Sequence, residues 1–297
     1  MKVFESEVKQ LMDPGAEPQP VVDGFEFLEG PVWHFGGRHL TFVDLAGDAM
    51  YRWSEAKGLR TLRRPSEHAN GLAYDPQGVL LSCEHRTRRI TRDSPDGPVP
   101  VVERYRGMRL NAPNDLVVSA DGSIVFTDPH YGLQEGYGGP GEQEQPVKGV
   151  YRLAPDKEEP ELLVDDFEGP NGLALAPDER RLIVADSERG HLRTFDVAEG
   201  WRVSGGEVLV SFPAEGEGVP DGLKFDLQGN LYATGPGGLW ICASGGRILG
   251  HVPFPEIAAN LAWGEDDAAT MYVTASTTLY RLATEATGHV PHRAWTR

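Results

Sequence analysis

The sequence predicts an all-β chain folded as a six-bladed β-propeller of four-stranded antiparallel blades. Three observations carry this: a motif repeats six times, apolar residues alternate over short runs, and Gly, Pro and Asp punctuate those runs. The repeating unit is a polar residue, an alternating strand, a turn and a second strand. Its cleanest copy is EGPNGLALAPDERRLIVAD, from Glu168 to Asp186. Others are NGLAYDPQGVLLSCE from Asn70, NDLVVSADGSIVFTD from Asn114, DGLKFDLQGNLYAT from Asp221 and NLAWGEDDAATMYVT from Asn260, with a looser EGPVWHFGGRHLTFVD from Glu29. The openings lie roughly 40 to 57 residues apart, near the period of propeller blades. Six radial sheets leave only short, protected edges, and residues 1–297 are expected to form one such domain.

Taken in order, the N-terminal run PQPVVDGFEFL precedes the first opening as VPVVERY precedes the third. The second interval shows all four strands of a blade: NGLAYD, VLLSCE, RRITRD and VPVVERY, separated by DPQG, HRT and SPDG. The last interval holds three strands, NLAWG, TMYVT and TLYRLA. Val21 to Phe27 is therefore predicted to supply the outer strand of the last blade and close the ring. The longest insertion, Gly132 to Gly149, is rich in Gly and poor in apolar residues, and reads either as a lid at the channel mouth or as a solvated excursion.

Composition bounds the function. A net charge of -17 and a pI near 4.9 disfavour nucleic acid or an anionic membrane as partner. No apolar run approaches the roughly 20 residues of a membrane helix, and MKVFESEVKQLMDPG lacks the apolar core of a secretory signal. Cys83 and Cys242 fall in strands of different repeats, without CxxC spacing, and read as buried free thiols. The expected compartment is the cytoplasm.

Propeller connectivity brings the starts of inner strands and the ends of second strands to one face. Glu29, Asn70, Asn114, Asn171, Asp221 and Asn260 then form an inner polar ring around the channel mouth. Asp44, Glu84 with His85, Asp128 with His130, and Asp186 form a wider one. Carboxylate and amide oxygens without His or Cys suit a hard divalent cation: Ca²⁺ first, with Mg²⁺ or Mn²⁺ next and Zn²⁺ accepted by an oxygen-rich site with waters. Glu29 and Asp221 would balance one such ion. Asn70 and Asn260 read individually as turn residues capping nearby backbone. Glu168 lies three residues ahead of its opening and is left out of the site.

The segments LEGPVW (28–33), PNDL (113–116), FTDPHYG (126–132), PNGLALAPDE (170–179) and PDGLKFD (220–226) resemble the gluconolactonase/regucalcin family, also known through senescence marker protein and luciferin-regenerating enzyme. Their order and spacing match over nearly the whole chain, and FTDPHYG with its following insertion looks most like bacterial gluconolactonases. The resemblance implies a metal-dependent lactonase with one divalent cation at the channel mouth, held by Glu29, Asn171 and Asp221, with Asn114 as a further ligand or substrate contact. The family's regucalcin branch has an arginine two residues before the Asn of its NDL segment. Ala112 stands there, leaving Arg109 and Asn111 as neighbouring alternatives.

The reaction expected is hydrolysis of a small-molecule lactone, a sugar lactone such as gluconolactone, with the cation polarising the carbonyl. The water's proton goes to Asp221 or Asp128 as base; His85, His130 and His68 remain open for the role. His85, His130, Tyr131 and Arg109 are the other candidate substrate contacts. Two alternatives stand beside this one. The same metal site could serve an organophosphate or aryl ester hydrolase, or the propeller could be a non-catalytic calcium- or ligand-binding protein. A WD-type interaction propeller is disfavoured, since the GH…WD signature is missing.

Overall fold

The computed structural model describes residues 1–214 and 216–291. Six small antiparallel sheets stand in a ring, the first four with their strands in sequence order from the axis outward. Blade 1 comprises Leu28–His34, His39–Asp44, Ala49–Ser54 and Gly58–Arg63. Blade 2 comprises Ala69–Tyr74, Leu80–Glu84, Arg89–Arg92 and Val99–Val102. Blade 3 is built from Leu116–Val118, Ile124–Asp128, Gly149–Leu153 and Glu161–Val164. Blade 4 follows with Pro170–Leu175, Arg181–Asp186, His191–Ala198 and Arg202–Ser211. The predicted β-propeller is therefore the fold observed.

Blade 6 has Ala258–Gly264, Thr270–Ala275 and Thr278–Ala283, and its outer strand comes from the N-terminus, as expected. That strand is Gln19–Asp23, two residues earlier than predicted at its start and four at its end. Gly24, with a positive φ of 92°, ends it, and Phe25 then donates to the Thr277 carbonyl as the chain turns into blade 1. A second N-terminal strand, absent from the sequence reading, extends blade 5. Lys2–Val3 pairs with Ile248–Pro253, beyond Leu223–Phe225, Leu231–Gly235 and Gly238–Cys242.

The core lies between blades, where outward-alternating side chains of adjacent sheets meet. The largest cluster joins blades 5, 6 and 1, and takes in Val8 and Met12 from the N-terminal segment, both fully buried. Cys83 and Cys242 are buried free thiols in separate clusters. At the channel end opposite the polar ring, the chain crosses back. Leu227 donates to Thr287, and His289 to Phe225. His289, Val290 and Pro291 thereby floor an apolar lumen of about 110 Å³.

Candidate active site at the channel mouth

At four of the six ring positions the inner strands approach one another so closely that the next residue must be small. A Cβ on Gly30 would overlap the Asn70 carbonyl oxygen, and one on Gly172 the Asp221 carbonyl oxygen. At Gly71 it would lie 2.6 Å from the Asn114 oxygen. The Gly of EG, NG and DG is thus the device that brings consecutive ring residues together. Threonines of the second strands tie the same layer. Thr127 donates to Asn171 O at 2.8 Å, and Thr234 to Ala259 O at 2.8 Å.

A cavity of about 340 Å³ opens above this layer. Its floor is Glu29, Asn70, Asn114, Asn171 and Asp221. Part of its wall is apolar, from Phe27, Leu45 and Val219; the rest carries His85, Tyr131, Gln134, Tyr137, Ser187 and Glu188. Five of the six predicted ring residues therefore meet in one space. Asn260 does not line it. It is buried below, donating toward Glu29 and Asp115 while its own oxygen takes the Leu261 N–H at 2.9 Å.

The floor is electrostatically loaded. Burial pushes the Glu29 carboxyl up, and Asp115 beside it adds to the rise. Burial raises Asp221 further, with Glu29 and Asp115 as neighbouring charges. One Glu29 oxygen accepts the Gly30 N–H at 2.9 Å, whereas Asp221 Oδ1 is inaccessible to solvent and has no hydrogen-bond partner. Among the described residues no three or more His, Cys, Asp or Glu groups are spaced to hold a metal. The donors here are two carboxylates plus the amide oxygens of Asn114 and Asn171, the hard-oxygen chemistry suited to Ca²⁺ or Mg²⁺. Asn171 Nδ2 donates to Ser187 Oγ at 3.0 Å, and that hydroxyl donates to Pro220 O at 2.6 Å. This fixes the Asn171 amide, leaving its Oδ1 for a ligand. The residues present fit a divalent cation.

His85 has a defined state. Its Nδ1 lies 2.8 Å from the Tyr137 carbonyl, which can only accept, so Nδ1 carries the proton. Nε2 then presents a lone pair, 3.4 Å from Asn70 Nδ2. Burial lowers the pKa to about 4, so the ring is neutral at pH 7.

The wider ring of the sequence reading is largely a scaffold. Asp128 accepts the backbone N–H groups of Asn111 and Ala112 at 2.8 and 2.9 Å, and does not line the cavity. Asp44 likewise takes Glu26 and Phe27 at 3.1 and 2.9 Å, and Asp186 takes Glu168 and Gly169 at 3.1 and 3.0 Å. In each blade these are the third and second residues before the ring position. Each aspartate thus anchors the loop that delivers its own ring residue, which corrects the placing of Asp128 as a base at the mouth.

Glu84 is fully buried among Arg63, Arg89, Thr87 and Thr91. Arg109 points away from the cavity, donating through its side chain to Thr87 O and through its backbone to Glu144. His130 packs on Tyr131 outside the cavity lining. His68 is spoken for by Leu45 O at 2.7 Å. Glu168 is exposed and pairs with Arg189.

The Gly132–Gly149 insertion is tied down at several points, against the reading of a free lid. Buried Gln145 donates to the carbonyls of Tyr105, Met108 and Arg109, Arg88 pairs with Glu144, and Lys148 reaches Glu168 O. Its first turn, Tyr131–Leu133, and Tyr137 form part of the wall. Tyr137 meets Phe27 edge to face at 6.0 Å. Sequence reasoning missed Asp115, although the openings EG, NG, ND, NG, DG and NL show it replacing glycine once. The apolar wall had no signal, because Phe27, Leu45 and Val219 come from loops.

The family model for the SMP-30/gluconolactonase/LRE-like region matches residues 27–277. A gluconolactonase of Zymomonas mobilis subsp. mobilis is 31% identical, over 96% of this chain and 86% of its own length. Pentonolactonase XacC of Haloferax volcanii is 26% identical, over 83% and 80%. The solved structure of a gluconolactonase from Xanthomonas campestris superposes with a TM-score of 0.89 at 32% identity, covering 95% of this chain and 94% of the other. A calcium-binding regucalcin from Agrobacterium tumefaciens shares the fold at 14% identity and a TM-score of 0.77. With its motifs in order around one six-bladed ring and the model matched from blade 1 to blade 6, the chain belongs to the SMP-30/gluconolactonase/LRE-like family.

Proposed function

We propose that the chain is a divalent-cation-dependent lactonase that opens sugar lactones, acting at the channel mouth with Ca²⁺ as the preferred ion. The observation that carries this is the floor of the cavity, where Glu29, Asn114, Asn171 and Asp221 converge and Asp221 Oδ1 is buried without a partner. Relatives named as gluconolactonase and pentonolactonase support the substrate class.

Glu29, Asn114, Asn171 and Asp221 would hold the ion, which when bound supplies Lewis acidity to the lactone carbonyl oxygen. The Asp221 carboxylate takes the proton of the attacking water as the new C–O bond forms. The ring C–O bond then breaks, and the departing alkoxide oxygen recovers that proton, leaving a hydroxy acid. His85 Nε2 and Asn70 offer an acceptor and a donor to ring hydroxyls. Tyr131, Tyr137 and Phe27 close the side walls and keep bulk water from the carbonyl.

The test is turnover of D-glucono-δ-lactone and pentonolactones by chelated protein and after return of Ca²⁺, Mg²⁺, Mn²⁺ or Zn²⁺, with an aryl phosphotriester run alongside. Cation-dependent lactone opening, lost in Glu29→Gln and Asp221→Asn with the fold intact, supports the proposal. Lactone turnover untouched by chelation, or full turnover in Asp221→Asn, refutes it. Preference for the phosphotriester would move the activity to ester hydrolysis on the same site.

A further inference from the structure

The residue just past the second strand is Leu45, His85, Pro129, Ser187, Pro236 and Ser276 in blades 1 to 6. In blades 2 and 4 its side chain meets the ring asparagine of its own blade. His85 Nε2 lies 3.4 Å from Asn70 Nδ2, whereas Ser187 Oγ lies 3.0 Å from Asn171 Nδ2. Of these two asparagines, Asn171 is the one placed among the ion's ligands. Ser187 and Asn171 are both buried and both line the cavity.

Ser187 leaves Asn171 no choice of orientation. Its backbone N–H donates at 2.9 Å to the carbonyl of Gly169, two residues ahead of Asn171, which roots the side chain. The hydroxyl has a single proton, and this goes to Pro220 O at 2.6 Å, because a carbonyl can only accept. Oγ therefore turns lone pairs toward Asn171, and of the two ends of that amide only Nδ2 can answer them. The flipped amide would set two acceptors against each other in a buried space, which is costly. The Pro220 carbonyl belongs to the residue before Asp221. One hydroxyl thus joins the asparagine of blade 4 to the segment that delivers the carboxylate of blade 5.

We infer that Ser187 is the positioning residue of the cation site. Its hydroxyl fixes which end of the Asn171 amide faces the ion, and it couples that ligand to the Pro220–Asp221 segment. The inference rests on the cation reading given above. It differs from a hydroxyl that only packs between blades 4 and 5, because its effect must vanish when orientation ceases to matter.

The test is calorimetric titration of Ca²⁺ into the full chain after chelation, as wild type, Ser187→Ala, Asn171→Asp and the double variant. The two oxygens of an aspartate are equivalent, so a carboxylate at 171 presents oxygen to the ion without an orienting partner. Partners of metal ligands typically contribute 10- to 100-fold in affinity, so Ser187→Ala should raise the Ca²⁺ Kd about tenfold or more beside Asn171, and less than about threefold beside Asp at that position. Melting of the chelated proteins checks that each is folded. An equal loss in both backgrounds is what a packing hydroxyl predicts and overturns the inference, as does an unchanged Kd in Ser187→Ala. Loss of all binding in Asn171→Asp overturns it too, since oxygen is then available in either orientation. Wild type that binds no Ca²⁺ refutes the cation reading and this inference with it, whereas the other adverse results, with wild type binding, refute the inference alone. If Ser187→Ala does not fold, Ser187→Cys, whose thiol is a weak donor and weak acceptor, is judged by the same pair of backgrounds.

Discussion

Replacing Asp128 separates a scaffold carboxylate from a catalytic one. Asp128→Ala removes the acceptor for two buried N–H groups, those of Asn111 and Ala112. Each orphaned donor costs about 1–3 kcal/mol, so the pair costs roughly 2–6 kcal/mol before any relief. Relief exists, because burial raises the Asp128 carboxyl to about 7 and its ionised form is itself strained by desolvation. A net loss of about 3 kcal/mol, spread over an unfolding entropy of roughly 0.6 kcal/mol/K for a chain this long, lowers the melting temperature by about 5 °C. Asp128→Asn keeps one acceptor and should lose about half as much.

Calorimetry on cation-saturated protein gives the melting point, and initial lactone rates taken well below it give kcat. Asp186→Asn serves as an internal control, since Asp186 holds Glu168 and Gly169 in the same register of blade 4. Both variants should melt earlier with kcat within about tenfold of wild type. A general base contributes roughly 10²- to 10⁴-fold. A fall of that size in Asp128→Asn, with the melting point unmoved, would overturn the scaffold role.

Deleting residues 1–24 removes the outer strand of blade 6, the fifth strand of blade 5 and the fully buried Val8 and Met12. Each such side chain is worth about 1.5–3 kcal/mol, so the two alone should lower the melting temperature by roughly 5–10 °C, with the lost strand pairing adding to the fall; an unchanged value refutes the closure. His85, held near 4 in the folded chain against about 6.5 unfolded, binds a proton less well when folded. Its contribution to stability is complete above about pH 6.5 and is lost as pH falls toward 4. His85→Gln should flatten that slope, and a kcat limb near pH 6.5 that vanishes in His85→Gln would contradict a neutral His85. Gly172→Ala drives a methyl group into the Asp221 carbonyl, so cation affinity should drop about tenfold or more in calorimetric titration. Gly245→Ala, which meets nothing, is the neutral comparison.

The sequence alone determined the architecture, because a blade is a local unit and its period is written in the chain. Openings at Glu29, Asn70, Asn114, Asn171 and Asp221 locate the floor of the cavity, since equivalent strand starts must share one face of a radial repeat. The missing strand after Asn260 likewise called for the N-terminus, although Gly24 sets where that strand ends. What only the tertiary structure decided depends on contacts between blades and on loop paths. Asp44, Asp128 and Asp186 look like a second ring of chemistry until the backbone amides they hold are seen. Arg109 and His130 sit near the site in sequence and outside it in space, and the Gly132–Gly149 loop is pinned by Gln145, whose three carbonyl partners lie outside the loop. Glu29 and Asp221 come from different blades and 192 positions apart, and it is the ring's closure that places their like charges on one floor. Local pattern specifies which face a side chain takes; the balance of buried charge is a sum over the whole ring.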